Sequence, residues 1–184
     1  MRLLFLLLWL LWGVYWLLAA RNTKRSVRRE SPSATLGHLA PLALAALILL
    51  LPGYPGISRM LIARTPASVD IGLALTVSGL LLTLWARRQL GRNWSALVAI
   101  KHGHELVVSG PYRYVRHPIY SGLILAFAGS CIAQGELRSL IAFVIVLAVF
   151  SWKLRREERW LTQAFGRQYQ AYRQQVKALV PYVV

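Results

Sequence analysis

Five apolar stretches, each near the length needed to cross a bilayer, commit this chain to a helical bundle in a membrane. They run from Leu3 to Ala20, Ala34 to Leu51, Ala67 to Ala86, Pro118 to Ala133 and Ser139 to Trp152. A hydrocarbon core is about 30 Å thick and a helix rises about 1.5 Å per residue, so roughly 17 to 25 apolar residues cross it. The last two stretches are short and extend at either end. In lipid every backbone donor and acceptor must be satisfied within the structure, which selects helices over open sheets. Composition agrees, since 57% hydrophobic residues against 15% charged is too apolar for a soluble domain. The 184 residues leave room for one domain. The fold class expected is therefore an all-α integral membrane protein with about five transmembrane helices.

The charge pattern orients the bundle. Lys and Arg number 22 against 6 Asp and Glu, a formal net charge of +16. With the N-terminus outside, the segments Arg21 to Ser33, Arg87 to His117 and Lys153 onward face the cytoplasm and carry 5, 6 and 7 basic residues. The other side receives Arg2, Arg59, Arg64 and Arg138. This 18 to 4 division is the positive-inside pattern expected of an odd number of spans. Basic flanks also attract anionic lipid headgroups, so membrane lipids account for the charge and no nucleic acid partner is expected. Five basic residues directly after the first span mark it as an uncleaved span rather than a secretory signal. The single cysteine, Cys131, excludes an internal disulfide and a zinc cluster and reads as a small packing residue; no metal is expected.

The first two spans are plain in composition and read as scaffold. Leu51 to Gly56 breaks the helix, and Ile57 to Ala63 is expected as a short helical turn in the outer interface. Gly72, Thr76, Gly79 and Thr83 recur at three- and four-residue spacing, a small-residue face suited to close helix packing. The loop from Arg87 to Pro118 is too long for a mere connector. Within it Gly91 to Ser95 reads as a turn, Trp94 as an interfacial anchor, and Ala96 to Ile100 and Leu106 to Val108 as extended segments. Gln134 to Arg138 closes a tight hairpin, which sets Lys153 beside the loop that ends at His117. A further helix is expected after Gly166, with Tyr169, Tyr172 and Val176 along one stripe, ending at Pro181.

The stretch Ser109 to Gly122, SGPYRYVRHPIYSG, sets aromatics, two arginines and a histidine at the break before the fourth span. Pro118 suits a first helical turn, where the missing N–H has no intrahelical partner anyway. The helix start beside Arg116 and His117 is predicted to attract an anionic group, and Tyr112, Tyr114 and Tyr120 add surfaces for a planar ring. Glu157 and Glu158 stand among Lys153, Arg155, Arg156 and Arg159 at the exit of the fifth span. Lys153 and Glu157 share a helix face, so a plain intrahelical ion pair competes with a ligand-binding role. A carboxylate buried at that depth needs a cation from the protein or from a ligand.

SGPYRYVRHPIYSG, preceded by GHELV and followed by REERWL, FG, YQAY and a final LVP, resembles the isoprenylcysteine carboxyl methyltransferase family, in a wider group with the phospholipid N-methyltransferases. The likeness covers roughly Asn93 to Pro181 and is to short, prokaryotic-type members. It implies residues 1–86 as a three-helix scaffold and 87–184 as the methyltransferase region, with a cytosolic pocket for S-adenosyl-L-methionine formed by the C-terminal half. Carried over by position, the cofactor contacts are His104, Glu105, Leu106, Val107, Tyr112, His117, Pro118, Ile119, Tyr120 and Glu157. The implied activity is methylation of a lipophilic small-molecule or lipidated acceptor, by carboxyl methylation of the isoprenylcysteine type or on a related lipid, in a prokaryotic cytoplasmic membrane.

One departure stands out. Where the carboxyl-methylating members carry an arginine one turn before the final glutamate, this chain has Lys153, a point charge rather than a two-pronged donor. Lys153, with Arg156 beside it, is the candidate for orienting an anionic acceptor. Two other readings stay open: an NADPH-dependent membrane reductase of sterol-reductase-like architecture, and a non-enzymatic lipid-binding scaffold.

Overall fold

The computed structural model describes residues 2–50, 56–95, 97 and 99–181. The predicted break over residues 51–55, and Ala96 and Val98 of the expected extended run, lie outside the described residues. Helix α1 spans Arg2–Ala20, strand β1 Ser26–Arg29, α2 Pro32–Leu50, α3 Pro66–Leu90, strand β2 Ala99–Lys101, α4 Pro118–Gln134, α5 Leu137–Phe165 and α6 Arg167–Gln175. Short 3-10 turns occupy Gly91–Asn93 and Gly110–Arg113. The helices α1, α2, α3 and α5 are long and apolar enough to cross a membrane, and α4 is a shorter apolar helix of 17 residues. At about 1.5 Å per residue α4 is roughly 25 Å long, close to the hydrocarbon thickness. The protein is a multi-pass, helical membrane protein.

Local sequence sets the helix ends. Thr65 and Ser68 form a reciprocal cap on α3, with Ser68 N–H donating to Thr65 Oγ1 at 3.1 Å and Thr65 N–H donating to Ser68 Oγ at 3.0 Å. Pro66 follows at the first helical position. Gly135 ends α4 in the left-handed region, φ 65°, where its N–H donates to Cys131 O. A side chain there would meet the Ile62 carbonyl at 2.4 Å.

The central feature is the α3–α4 seam. A Cβ on Gly79 would lie 2.4 Å from the Gly122 carbonyl, and one on Gly72 would lie 2.5 Å from that of Gly129. The backbones thus touch where the Gly and Thr spacing predicts a small-residue face. Thr76 Oγ1 donates across the seam to Ala126 O at 3.2 Å. Helix α1 hooks onto this pair by two indoles: Trp9 Nε1 donates to Ser130 Oγ at 3.1 Å and Trp12 Nε1 to Thr83 Oγ1 at 2.7 Å. Cys131 is buried and unbridged.

Helix α5 runs unbroken for 29 residues, packed against α2 and α4. Its first N–H groups, which have no partner within the helix, find one in the segment between α2 and α3. Leu137 N–H donates to Arg59 O and Arg138 N–H to Ile57 O, both at 2.9 Å, while Leu61 and Ile62 donate to Gly135 O. The helical turn expected over Ile57 to Ala63 does not form, because the backbone there pairs with the α4–α5 hairpin instead. One element lacked any sequence signal: β1 pairs antiparallel with β2, tying the segment after α1 to the long loop.

Candidate functional site

A cavity of about 310 Å³ opens where the long loop, the start of α4 and the second half of α5 meet. Nine of the sequence-predicted residues line it: His104, Glu105, Leu106, Val107, Tyr112, His117, Ile119, Tyr120 and Glu157, and Lys153 joins them. Pro118 does not line it; it is fully buried and sets the first turn of α4. Arg156 is also absent from the lining. Its Nε faces Glu30 Oε2 at 3.7 Å and its guanidinium stacks 5.4 Å from the Trp152 ring, so it is turned toward α2.

The polar centre is a stack of rings. His117 lies parallel to Tyr120 at 5.4 Å between centroids, and Tyr120 stacks on Phe150 at 4.8 Å. The Tyr120 hydroxyl donates to Glu157 Oε2, with His117 Nδ1 4.0 Å from the same oxygen. The Lys153 ammonium sits 5.7 Å from the centre of the Tyr120 ring. Glu157 keeps a third of its side-chain surface exposed, so its carboxylate remains accessible from the cavity.

The neighbouring Glu158 does different work. Arg116 Nε donates to its Oε1 at 2.7 Å, His117 Nε2 is 3.4 Å from that oxygen, and Arg173 Nη2 is 3.4 Å from Oε2. Arg116 also donates to the carbonyls of Val176 and Arg173. The chain after α6 then runs alongside: Arg116 N–H donates to Lys177 O at 2.8 Å and His117 N–H to Ala178 O at 3.0 Å. At the start of α4, where an anion site is expected, Arg116 is paired with Glu158, and the N–H groups of Arg116 and His117 have carbonyl partners.

Tyr169 and Tyr172 from α6 close the cavity, both buried. The Tyr172 hydroxyl donates to Tyr112 O. The Tyr169 hydroxyl has no hydrogen-bond partner of ordinary geometry among the described residues. Burial pushes Tyr112, Tyr169 and Tyr172 above the usual phenol range, so all three remain neutral. Burial also lowers His104 below the ordinary imidazole value, against the opposing pull of Glu157, and leaves it neutral near pH 7.

The remaining walls come from residues that sequence reasoning assigned elsewhere. Trp12 and Trp16 of α1, and Leu39 and Leu42 of α2, line the cavity beside Leu123 and Phe150. Trp94, expected as an interfacial anchor, is buried in the lining, edge-on to Trp16 at 5.6 Å and 4.7 Å from the Arg87 guanidinium. The tryptophans at Trp9, Trp12 and Trp16 fall on one helical face, a signal readable from spacing alone.

The phospholipid methyltransferase family model matches residues 68–168, from the first turn of α3 into α6. This chain belongs to the phospholipid methyltransferase family. The family match spans the seam, the hairpin and the polar centre, while α1 and α2 lie before it. Among curated relatives, protein-S-isoprenylcysteine O-methyltransferase B of Arabidopsis thaliana is 37% identical over 117 residues, 62% of this chain and 59% of the relative. The protein-S-isoprenylcysteine O-methyltransferase of Schizosaccharomyces pombe is 37% identical over 98 residues, 52% of this chain and 42% of the relative. A solved structure of the eukaryotic intramembrane Ras methyltransferase, an isoprenylcysteine carboxyl methyltransferase, superposes with a TM-score of 0.59 at 26% identity. That alignment covers 85% of this chain and 55% of the other. The chain thus spans about three fifths or less of the length of these relatives.

Proposed function

We propose that this protein is a membrane-embedded methyltransferase that moves a methyl group from S-adenosyl-L-methionine to a lipophilic acceptor, by carboxyl methylation of an isoprenylcysteine-type or related lipid substrate. The observation that carries this reading is a single cavity walled by polar groups from the loop, α4 and α5 and by apolar side chains from α1 and α2. The polar part fits the cofactor's chemistry. Glu157 offers an accessible carboxylate to a cationic group, the buried Tyr169 hydroxyl offers a hydrogen bond, and His117, Tyr112 and Leu106 offer surfaces to a planar ring.

When bound, the cofactor supplies a methyl group already activated on a sulfonium. The protein's part is then alignment and exclusion of water rather than covalent chemistry. Tyr120 fixes the Glu157 carboxylate by its hydrogen bond. Lys153, in the cavity lining 5.7 Å from the centre of the Tyr120 ring, presents a cation to an anionic group on the acceptor. Trp12, Leu39, Leu42 and Leu123 receive the acceptor's hydrocarbon part, where transfer from water is favourable by about 25 cal/mol per Å² of apolar surface. The 18 to 4 distribution of basic residues supports an outside N-terminus and a cavity opening at the cytoplasmic face of the membrane.

Detergent-purified protein tests the proposal. Calorimetric titration should show S-adenosylmethionine binding and no binding of NADPH. With N-acetyl-S-farnesylcysteine as probe acceptor, labelled methyl should appear in a product cleaved by base, as an ester is. Binding of the dinucleotide alone would move the protein to a reductase reading. A base-stable product would exclude carboxyl methylation.

A further inference from the structure

The helices that wall the cavity close it off one turn further into the bundle. Trp12 of α1, Leu42 of α2, Leu123 of α4 and Phe150 of α5 line the cavity. Three or four residues deeper on the same helices stand Trp9, Ala45, Phe127 and Val146, which are buried and belong to one apolar core. Such a step along a helix is one turn on the same face, so each wall residue has a plug beneath it. Two of the plugs are large and pinned. Trp9 Nε1 donates to Ser130 Oγ at 3.1 Å, and its indole lies edge-on to Phe127 at 4.8 Å and to Trp12 at 5.8 Å. Trp12 is held in turn by its bond to Thr83 Oγ1 and cannot swing aside without losing it. Ala45 and Val146 complete the floor from α2 and α5, both fully buried.

This floor sets a length. From Tyr120, at the polar centre, to Phe127 the α4 helix runs seven residues, about 10 Å at about 1.5 Å per residue. An extended chain advances about 3.5 Å in three bonds, so a hydrocarbon starting at the polar centre meets Trp9 and Phe127 after roughly two isoprene repeats.

We propose that Trp9 and Phe127 are specificity-determining residues: they floor the acceptor's cavity and select a hydrocarbon of roughly two isoprene repeats over longer ones. The proposal rests on the methyl-transfer reading for what the cavity receives. A chain that overruns the floor has to displace a packed indole, and even one methylene too many in a shaped apolar pocket costs about ten-fold or more. Removing the Trp9 side chain leaves an apolar space of the kind that stays dry and takes up hydrocarbon. Ser130 keeps Thr76 Oγ1 at 3.3 Å as a partner in that variant, so the α3–α4 seam is left in place.

Two measurements on the full chain in lipid nanodiscs test this. The first is independent of turnover: an N-acetylcysteine thioether with a photoreactive diazirine at the tip of a geranyl-length chain is bound, irradiated and located by mass spectrometry. The label should fall on Trp9, Trp12 or Phe127. Labelling of α2 at Leu36 and Leu39, both exposed, in place of these residues shows that the chain leaves sideways and overturns the proposal, as does a thioether that labels nothing.

The second measurement is methyl transfer to the N-acetylcysteine thioethers of geranyl, farnesyl and geranylgeranyl chains. In the wild type kcat/KM should fall about ten-fold or more from the shortest to the longest. Trp9→Ala should bring the two within about two-fold of each other, the deepened cavity no longer rejecting the added length. Phe127→Leu shrinks the floor from the α4 side and should move the ratio part of the way, which keeps the test open should the alanine variant fold poorly. A purely structural Trp9 would lower all three values together and leave their ratio unchanged, which overturns the proposal. If no thioether is methylated while the photolabel sits on the floor, the methyl-transfer reading falls and the floor stands. If all three are methylated equally by the wild type, the floor falls and the methyl-transfer reading stands.

Discussion

The α3–α4 seam and the cavity between α1, α2 and α5 are built on opposite rules. In the seam, backbone meets backbone through Gly72, Gly79, Gly122 and Gly129, and no side chain of any size fits. Around the cavity, large rings from Trp12, Trp16, Trp94 and Tyr120 hold the elements apart and leave space between them. The seam fixes where α4 begins, and hence where His117 and Tyr120 stand. The cavity walls have only to surround what enters. Close packing therefore supplies position, and loose aromatic packing supplies room.

The largest expected effect breaks the seam. Gly79→Leu drives a side chain into the Gly122 carbonyl and the Ala126 backbone, and should destabilise by about 3 kcal/mol or more, the upper range for overpacking where neither side can retreat. Gly13→Ala in α1 is the matching control, because nothing lies within 4 Å of the added carbon. Thermal unfolding in detergent should separate the two variants widely; similar melting temperatures would show that the seam is not the rigid part.

Next comes the joint between seam and cavity cover. Glu158→Gln leaves Arg116 buried without its counter-charge and should destabilise by about 3 kcal/mol, as expected when one partner of a buried pair is removed. Proteolysis should then cut first within residues 176–181, whose carbonyls Arg116 and the His117 turn hold. Unchanged protection there would mean that the cover is held by Tyr169 and Tyr172 alone.

A smaller effect touches the cavity itself. Tyr120→Phe keeps the ring stack and removes the bond to Glu157, so melting should barely change while S-adenosylmethionine affinity falls roughly ten-fold, about 1.4 kcal/mol. Equal affinity by calorimetry would detach Glu157 from cofactor binding.

The smallest effect is on pH dependence. His104 is held below its ordinary value, so the unfolded chain takes up a proton first as pH falls through about 6.5. Stability from this site is whole above that pH, declines toward the folded-state value, and declines no further below it. His104→Gln should therefore narrow the gap between melting temperatures at neutral and mildly acidic pH, and an unchanged gap would assign the acid sensitivity elsewhere.

Legibility in the sequence followed the range of the interactions. The seam was readable because glycine and threonine at helical spacing state a close approach locally. The start of α4 was readable because His117-Pro118 is a boundary signal, and its site residues could be carried over from a contiguous motif. The walls from α1 and α2 were not, since leucine- and tryptophan-rich helices look alike whether they face lipid, a neighbour or a cavity. Trp94 passed as an anchor for the same reason. The meeting of Glu30 with Arg156 joins residues 126 positions apart, with no periodicity to announce it. Arg156 in turn was expected at the acceptor because its neighbour Lys153 is there; a step of three residues along a helix turned it to Glu30 instead.

The unbroken course of α5 has one more consequence. From Leu137 to Glu157 the helix climbs about 30 Å, so the hairpin on one face of the bilayer sets the angular phase of the reactive side chains on the other. One residue inserted between Leu140 and Val149 would turn everything beyond it by about 100°, carrying Lys153 and Glu157 together off the cavity while every hydrogen bond of the hairpin stayed intact. Natural length variation in this protein's relatives should accordingly be tolerated before Leu137 and after Phe165, and be excluded between them.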